Sequence, residues 1–283
     1  MTKDLHAEQV AYWTGEGGEN WLAREARLDA MIAALGERGI AAAGAQPGQA
    51  VLDIGCGTGP TTRALARIVG PGGSVTGLDL SSAMMAEAAR RAGAEGLTNA
   101  RFVVGDASVY PFEPGVFDLM FSRFGVMFFG DPAAAFTHLR RALKPNGRLA
   151  FLCWRSFKEN PWALVPFMAG VPLLPAMPRP GPDDPGPFSF GEPERVRRIL
   201  GAAGFADLRI EPVDTVVTLS GVGLDETARL AMDFGPLARA MRDVPPETRE
   251  KVAGAVRHAL TPHLVDGAVR LAAACWLVRA ANA

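Results

Sequence analysis

Cysteine, histidine and tyrosine are scarce in this chain of 283 residues, with three, four and two copies. Cys56, Cys153 and Cys275 stand far apart, without CxxC spacing or a neighbouring histidine. That argues against a zinc site and against a disulfide framework, so no metal is expected. Net charge is also nearly absent, at -1, which leaves no basic surface for nucleic acid. The pairs Arg90-Arg91, Arg140-Arg141 and Arg197-Arg198 are isolated and fall on helical stretches, where they read as solvated faces. No apolar run approaches the roughly 20 residues of a membrane helix, and residues 1–8 lack the apolar core of a secretion signal. With 48% hydrophobic and 21% charged residues, the composition is that of a globular cytoplasmic enzyme or binding protein with no nucleic-acid or membrane partner.

What is present is glycine, and it is concentrated where it matters. Val51-Leu-Asp-Ile-Gly-Cys-Gly-Thr-Gly59 runs from an apolar strand into three glycines at alternating positions, Gly55, Gly57 and Gly59. A buried strand ending in a glycine turn and handing over to a helix opens a nucleotide-binding α/β unit. Glycine serves there because it takes unusual backbone angles and lets the main chain approach a ligand.

The chain around this stretch alternates regularly. Residues 5–45 read as helical, with an aromatic pair and a glycine hinge, Tyr12-Trp13-Thr-Gly-Glu-Gly-Gly18, near the start. The pair is either an anchor to the core or part of a lid over a ligand. Strands are expected at 50–54, 74–78, 101–104, 117–122 and 148–154. Helices are expected from Pro60 to Val69, from Ser81 or Ser82 to near Gly93 or Gly96, and from Asp131-Pro132 to Leu143, with a turn at 144–147. The region 155–193 is a lid, its part from 171 too rich in proline for a regular element. A helix at 193–203, an extended segment at 206–219, a broken helical stretch at 224–264 and a final strand at 269–280 follow. One domain is expected: a helical cap (1–46), a core (47–154), the lid (155–193) and C-terminal strands carrying a helical insertion (194–283). The class is α/β, a Rossmann-like, mostly parallel sheet with helices on both faces.

The ligand follows from acids as much as from glycines. A dinucleotide fold wants G-x-G-x-x-G; here the third glycine falls one residue early and Pro60 holds the place. Asp53 lies just before the turn, where a carboxylate suits a positively charged ligand. Asp79 ends the second strand and can accept bonds from both hydroxyls of a ribose. Asp106 ends the third and can accept from an exocyclic adenine amine, with the next backbone N–H, at Ala107, donating to the ring. Leu80 and Met84 could sandwich the purine.

In this company the motifs resemble those of class I S-adenosylmethionine-dependent methyltransferases. The residues that carry the resemblance are Asp53-Ile-Gly-Cys-Gly-Thr-Gly59, Gly77-Leu-Asp-Leu-Ser81, Gly105-Asp-Ala107 and Leu143-Lys-Pro-Asn-Gly147. They are similar in particular to the branch of ubiquinone and menaquinone biosynthesis enzymes and other small-molecule methyltransferases. The likeness is specific over about 47–154 and looser beyond. It implies a seven-stranded sheet whose last strand is antiparallel, and S-adenosylmethionine as cofactor. It also implies a cradle for the methionine part at Gly55, Gly57 and Gly59, ribose at Asp79, adenine at Asp106 and Ala107, and a carbonyl from Ser122 to the cofactor's amino group.

The partner implied is a small-molecule methyl acceptor, apolar, aromatic or acidic, methylated on oxygen or carbon. The Asn/Asp-Pro-Pro-aromatic motif of enzymes acting on nucleic-acid amines is absent after the fourth strand. Candidates for the acceptor pocket are Tyr12, Trp13, Arg123, Phe128 and Trp154. Arg123 and Arg155 leave the same sheet edge, either in salt bridges or toward an anionic group. No catalytic residue is singled out, because methyl transfer rests mainly on alignment. Two other readings stand beside this one: a regulatory module that binds S-adenosylmethionine without transfer, and a dinucleotide-dependent oxidoreductase. The oligomeric state is left open, a homodimer included.

Overall fold

Two helices precede the sheet in the computed structural model, which describes residues 4–176, 181, 183–219 and 223–282. Helix α1 (Leu5–Thr14) is capped by Asp4, whose carboxylate accepts the N–H of Ala7. Helix α2 (Glu16–Ala43) follows after a single break at Gly15. The expected hinge is therefore shorter than the glycines suggested. Gly17 and Gly18 lie inside α2, and a Cβ there would run into the Tyr12 ring and the Trp13 carbonyl. They are glycines so that α1 can fold tightly against α2, not so that the chain can bend.

The core then alternates: β1 (Ala50–Ile54), α3 (Pro60–Val69), β2 (Ser74–Asp79), α4 (Ser82–Ala94), β3 (Ala100–Val104), β4 (Phe117–Arg123), α5 (Pro132–Ala142) and β5 (Leu143–Trp154). The local signals act as expected. Pro60 and Pro132 each begin a helix, where a missing N–H costs nothing. The Ser81 hydroxyl accepts the N–H of Met84, and Asp131 accepts that of Ala134. One boundary differs. β5 starts at Leu143, because residues 144–147 form a bulged entry to the strand in which Asn146 takes a positive φ.

The lid region opens with helix α6 (Pro161–Gly170), so its first half is helical. After it come α7 (Pro193–Ala202), β6 (Ala206–Leu219), α8 (Gly223–Met232), α9 (Gly235–Ala240), α10 (Pro246–Leu260), β7 (Leu264–Val265) and β8 (Ala268–Ala281). The sheet order is β3-β2-β1-β4-β5-β8-β6. The first five strands are parallel, and β8 is antiparallel to both of its neighbours. Seven strands form the path, as the resemblance implied, and the two-residue β7 adds a ribbon against the start of β8.

This order places the function. The strand order reverses between β1 and β4, and ligands of open α/β sheets bind beyond the carboxyl ends of strands at such a point. On one side the insertion α8–α10 packs on α6, and Val252, Val256 and Leu260 of α10 are fully buried. Gly170 permits the close approach, since a Cβ there would lie 2.9 Å from Leu237 and 3.0 Å from Val252. On the other side α2 lies against β4 and β5, with Leu28, Ile32 and Leu35 buried. The cleft over the strand ends thus has a roof at both sides.

Candidate functional site

The turn after β1 is shaped by three left-handed glycines, Gly55, Gly57 and Gly59, with φ of 65°, 57° and 74°. Gly55 faces Gly125: a Cβ on Gly55 would sit 2.9 Å from the Cα of Gly125. Two backbones therefore touch where the sheet order reverses. Around Gly57 there is space instead, with the Met84 sulfur 3.8 Å and the Trp21 indole nitrogen 3.9 Å from where a Cβ would be. The Gly57 N–H donates to Asp79 Oδ2 at 2.9 Å, and the Ser81 N–H to Oδ1 at 3.0 Å. Burial raises the Asp79 pKa above its ordinary value, opposed by bonds from the N–H groups of Ser81, Gly57 and Leu80.

Asp106 is half-buried and accepts the N–H and hydroxyl of Ser108, at 2.9 and 2.7 Å. Its other oxygen lies 2.9 Å from Nε2 of His6, so α1 reaches across the end of β3. Asp79, Asp106, Gly55 and Gly57 line one cavity together with Leu80, Met84 and Ala107.

Three candidates on the cofactor side stand behind that wall. Asp53 is fully buried, its Oδ2 accepting the hydroxyls of Thr61 (2.7 Å) and Thr62 (2.6 Å) at the start of α3. Its Oδ1 has no hydrogen-bond partner among the described residues. Burial pushes its pKa up to about 6, against the pull of the two hydroxyls and of the Arg123 charge. Asp53 is not on the cavity wall, and its Oδ2 holds the first turn of α3. Gly59 likewise turns inward, where a Cβ would meet the Phe102 ring at 2.7 Å. Ser122 is fully buried; its hydroxyl donates to the Ile54 carbonyl (2.8 Å) and accepts the Gly125 N–H (3.2 Å). That hydroxyl ties β4 to β1, and the carbonyl expected to meet the cofactor's amino group belongs to the main chain, which these bonds do not engage.

One residue that supports the turn carries no local signal. Glu25 of α2 is buried, accepts the Thr58 hydroxyl at 2.9 Å, and is held bidentately by Arg91 of α4 at 2.7 and 2.8 Å. Burial raises its pKa, but the bonds from Arg91 and Thr58 and the Arg91 and Arg63 charges outweigh burial and hold it below the usual range. The cap helix is clamped to the glycine turn by this group.

The cavity continues past the turn, with a volume of about 1610 Å³. Ordinary small-molecule sites run to roughly 300–1,000 Å³, so there is room for two ligands side by side. Tyr12, Trp13, Arg123, Phe128 and Trp154 all line it. Trp13 packs edge-on to Phe128 (5.0 Å) and Trp21 (6.3 Å). Arg123 is bound to Asp29 of α2 at 2.6 Å. Arg155 turns away from the cavity to Glu159, Asp214 and the Trp276 ring, so the two arginines do not converge.

The far wall is a chain of rings. Phe124 stacks on Trp154 at 4.2 Å and 8°, Trp154 meets Trp162 at 4.9 Å, and Trp162 stacks on Phe234 at 5.6 Å and 16°. Phe188 of the lid closes on Trp162 at 6.1 Å. Phe124 holds a φ of 63°, an uncommon conformation for an aromatic residue. Trp162, Phe188 and Phe234 come from α6, the lid and the start of α9. A lone aromatic in a helix reads equally as core, and only the fold brings these three together.

Comparison with known proteins agrees with this geometry. Residues 51–147 match the family model described as methyltransferase domain. The chain is 32% identical over 174 residues to nocamycin O-methyltransferase of Saccharothrix syringae, covering 58% of this chain and 61% of that protein's length. It is 30% identical over 193 residues to demethylmenaquinone methyltransferase of Staphylococcus aureus, covering 65% of this chain and 78% of the relative. The fold superposes on the YcgJ protein from Bacillus subtilis with a TM-score of 0.58 at 17% identity, over 87% of this chain and 97% of that one.

Proposed function

From the premise that this chain belongs to the class I S-adenosylmethionine-dependent methyltransferases, we propose that it transfers a methyl group to oxygen or carbon of a small, flat, apolar acceptor held against the rings of Trp154, Trp162 and Phe234. The observation that carries the reading is the single cavity that joins the glycine turn to this aromatic wall. The relatives' names support it, one being nocamycin O-methyltransferase and the other demethylmenaquinone methyltransferase.

The residues at the turn fit the cofactor. Two carboxylates, Asp79 and Asp106, offer acceptors to ribose hydroxyls and an adenine amine, and Leu80 and Met84 flank them with apolar surface. The open side of Gly57, beside the Trp21 N–H, suits the methionine part. S-adenosylmethionine supplies an activated methyl on a positively charged sulfur, and the protein's task is to aim an acceptor at it and keep water out. Asp106 is engaged by His6, so α1 borders the carboxylate that would hold the adenine amine. Cys56, Cys153 and Cys275 are free and buried, which supports a reducing, cytoplasmic setting.

Incubation with S-adenosylmethionine and a panel of phenols, hydroxyquinones and enols tests the proposal. Release of S-adenosylhomocysteine with a methylated oxygen or carbon in the product is the expected result. Tight cofactor binding with no release across the panel would favour the regulatory reading instead.

A further inference from the structure

Among the described residues four arginines line the cavity: Arg123, Arg195, Arg239 and Arg242. Three are neutralised. Arg123 binds Asp29, Arg195 binds Asp183, and Arg242 lies 3.7 Å from Glu16 and over the Tyr12 ring. Arg239 has no carboxylate partner among the described residues and is exposed while still on the cavity wall.

Its position follows from α9. Gly235 and Arg239 are one helical turn apart and share a face, and both line the cavity. Leu237, Ala240 and Met241 bury the opposite face. Gly235 lies 3.5 Å from the Trp162 ring, measured from where its Cβ would be, and the residue before it is Phe234 of the aromatic wall. Asp233 also lines the cavity but is held by Arg24 at 2.7 Å, and Asp243, four residues after Arg239, forms no ion pair with it. An arginine without a carboxylate partner among the described residues thus lies one helical turn from Gly235, the residue against Trp162, while the carboxylates Asp79 and Asp106 sit at the glycine-turn end.

We infer that the acceptor carries an oxyanion, a carboxylate or a phosphate, that pairs with Arg239 while its flat body lies on Trp162 and Phe234. This rests on the reading of the aromatic end as the acceptor site. Asp184 and Glu192 of the lid also line the cavity, so it is the Arg239 charge itself that would hold the anionic group and leave the opposite end of the molecule free to face the methyl group. A guanidinium fork matches both oxyanions bidentately.

Calorimetric titration with three naphthalene probes in the presence of S-adenosylhomocysteine tests this: 2-naphthoate, 2-naphthyl phosphate and the neutral 2-naphthamide. The wild-type protein should bind one of the oxyanions about fivefold to tenfold more tightly than the amide, less so in high salt. The tighter of the two names the class. Arg239→Gln should bring the ratio to within about twofold, and Arg239→Lys should keep part of it. A separate S-adenosylhomocysteine titration of each variant reports an intact fold. Equal affinities in the wild type, a preference that survives Arg239→Gln, or no binding of any probe would overturn the inference. Failure of S-adenosylhomocysteine to bind the wild type, with the probe preference intact, would strike the methyltransferase reading and spare the anion site.

Discussion

At the glycine-turn end of the cavity the wall is main chain and carboxylate; at the lid end it is aromatic ring. The first is built within one stretch of chain and the tips of three adjacent strands, and hydrogen bonds such as Gly57 N–H to Asp79 fix its shape. The second takes one residue each from the end of β5, from α6, from the lid and from the start of α9, held by ring stacking. Backbone and short acids leave little freedom, which suits a ligand that never changes. Side chains presented by an insertion can be exchanged without disturbing the sheet, which suits an acceptor that differs from one enzyme to the next.

The comparison breaks most visibly at Gly55. Alanine there would have to hold a φ of 65° and place its Cβ 2.9 Å from the Cα of Gly125. The left-handed angle costs about 1–2 kcal/mol and the overlap about 1–3 kcal/mol more. Chemical denaturation of Gly55→Ala should therefore show a loss of about 2–5 kcal/mol, with cofactor binding impaired in what remains folded. A stability within about 0.5 kcal/mol of wild type would mean that this turn is not rigidly set by backbone contact.

Asp53 sharpens the same end through pH. Burial raises its folded pKa to about 6 from an ordinary 3.8, so the fold favours the neutral acid. The stability this group contributes is intact below about pH 4, falls as pH rises toward 6 and is constant above. The full difference is about 3 kcal/mol. Asp53→Asn has no such titration. Unfolding free energies of wild type and variant, compared from pH 4 to 7, should diverge across that window by an amount of this order. Parallel curves would show that the carboxyl is not shifted.

How much of this was legible beforehand divides along the same line. The alternation of strands and helices and the strand-end acids follow from short motifs whose physics is local: a glycine turn, a proline at a first helical turn, an acid at a strand end. The seven strands and the antiparallel last strand were implied only by the family resemblance of those motifs, and the strand order is set by the packed sheet. Which members of those motifs face the cleft is not local. Asp53, Gly59 and Ser122 sit within the motif but turn toward α3, Phe102 and Ile54, and only the packed sheet decides that. Glu25, Trp162, Phe188 and Phe234 were invisible for a related reason. Each belongs to a segment that has no pattern beyond a buried or amphipathic face, and each gains its role from a partner far away in the chain.

Removing a single ligand-facing acid comes next in size. Asp79→Ala takes away two backbone hydrogen bonds and the acceptor proposed for the ribose. Calorimetry should show cofactor affinity weakened by about 1–3 kcal/mol. The fold should remain, since Asp79 ends its strand at the cavity wall. Unchanged affinity would remove the ribose role and leave Asp79 as a brace for Gly57 and Ser81.

The smallest effect belongs to the aromatic end, and its size is itself informative. Phe234 stacks on Trp162 at 5.6 Å and 16° and precedes the helix that carries Arg239. Phe234→Leu keeps apolar area but loses the flat face, and such stacked pairs are worth about 0.5–1.5 kcal/mol beyond burial. The affinity for 2-naphthoate should therefore fall several-fold, while that for S-adenosylhomocysteine stays within about twofold. The asymmetry is the point of the measurement. A ring at the acceptor end that moved cofactor affinity as much as probe affinity would show that the two halves of the cavity are one coupled site. Independence would mean that the insertion carrying α8–α10 can be altered for a new acceptor with the methyl donor still held as before.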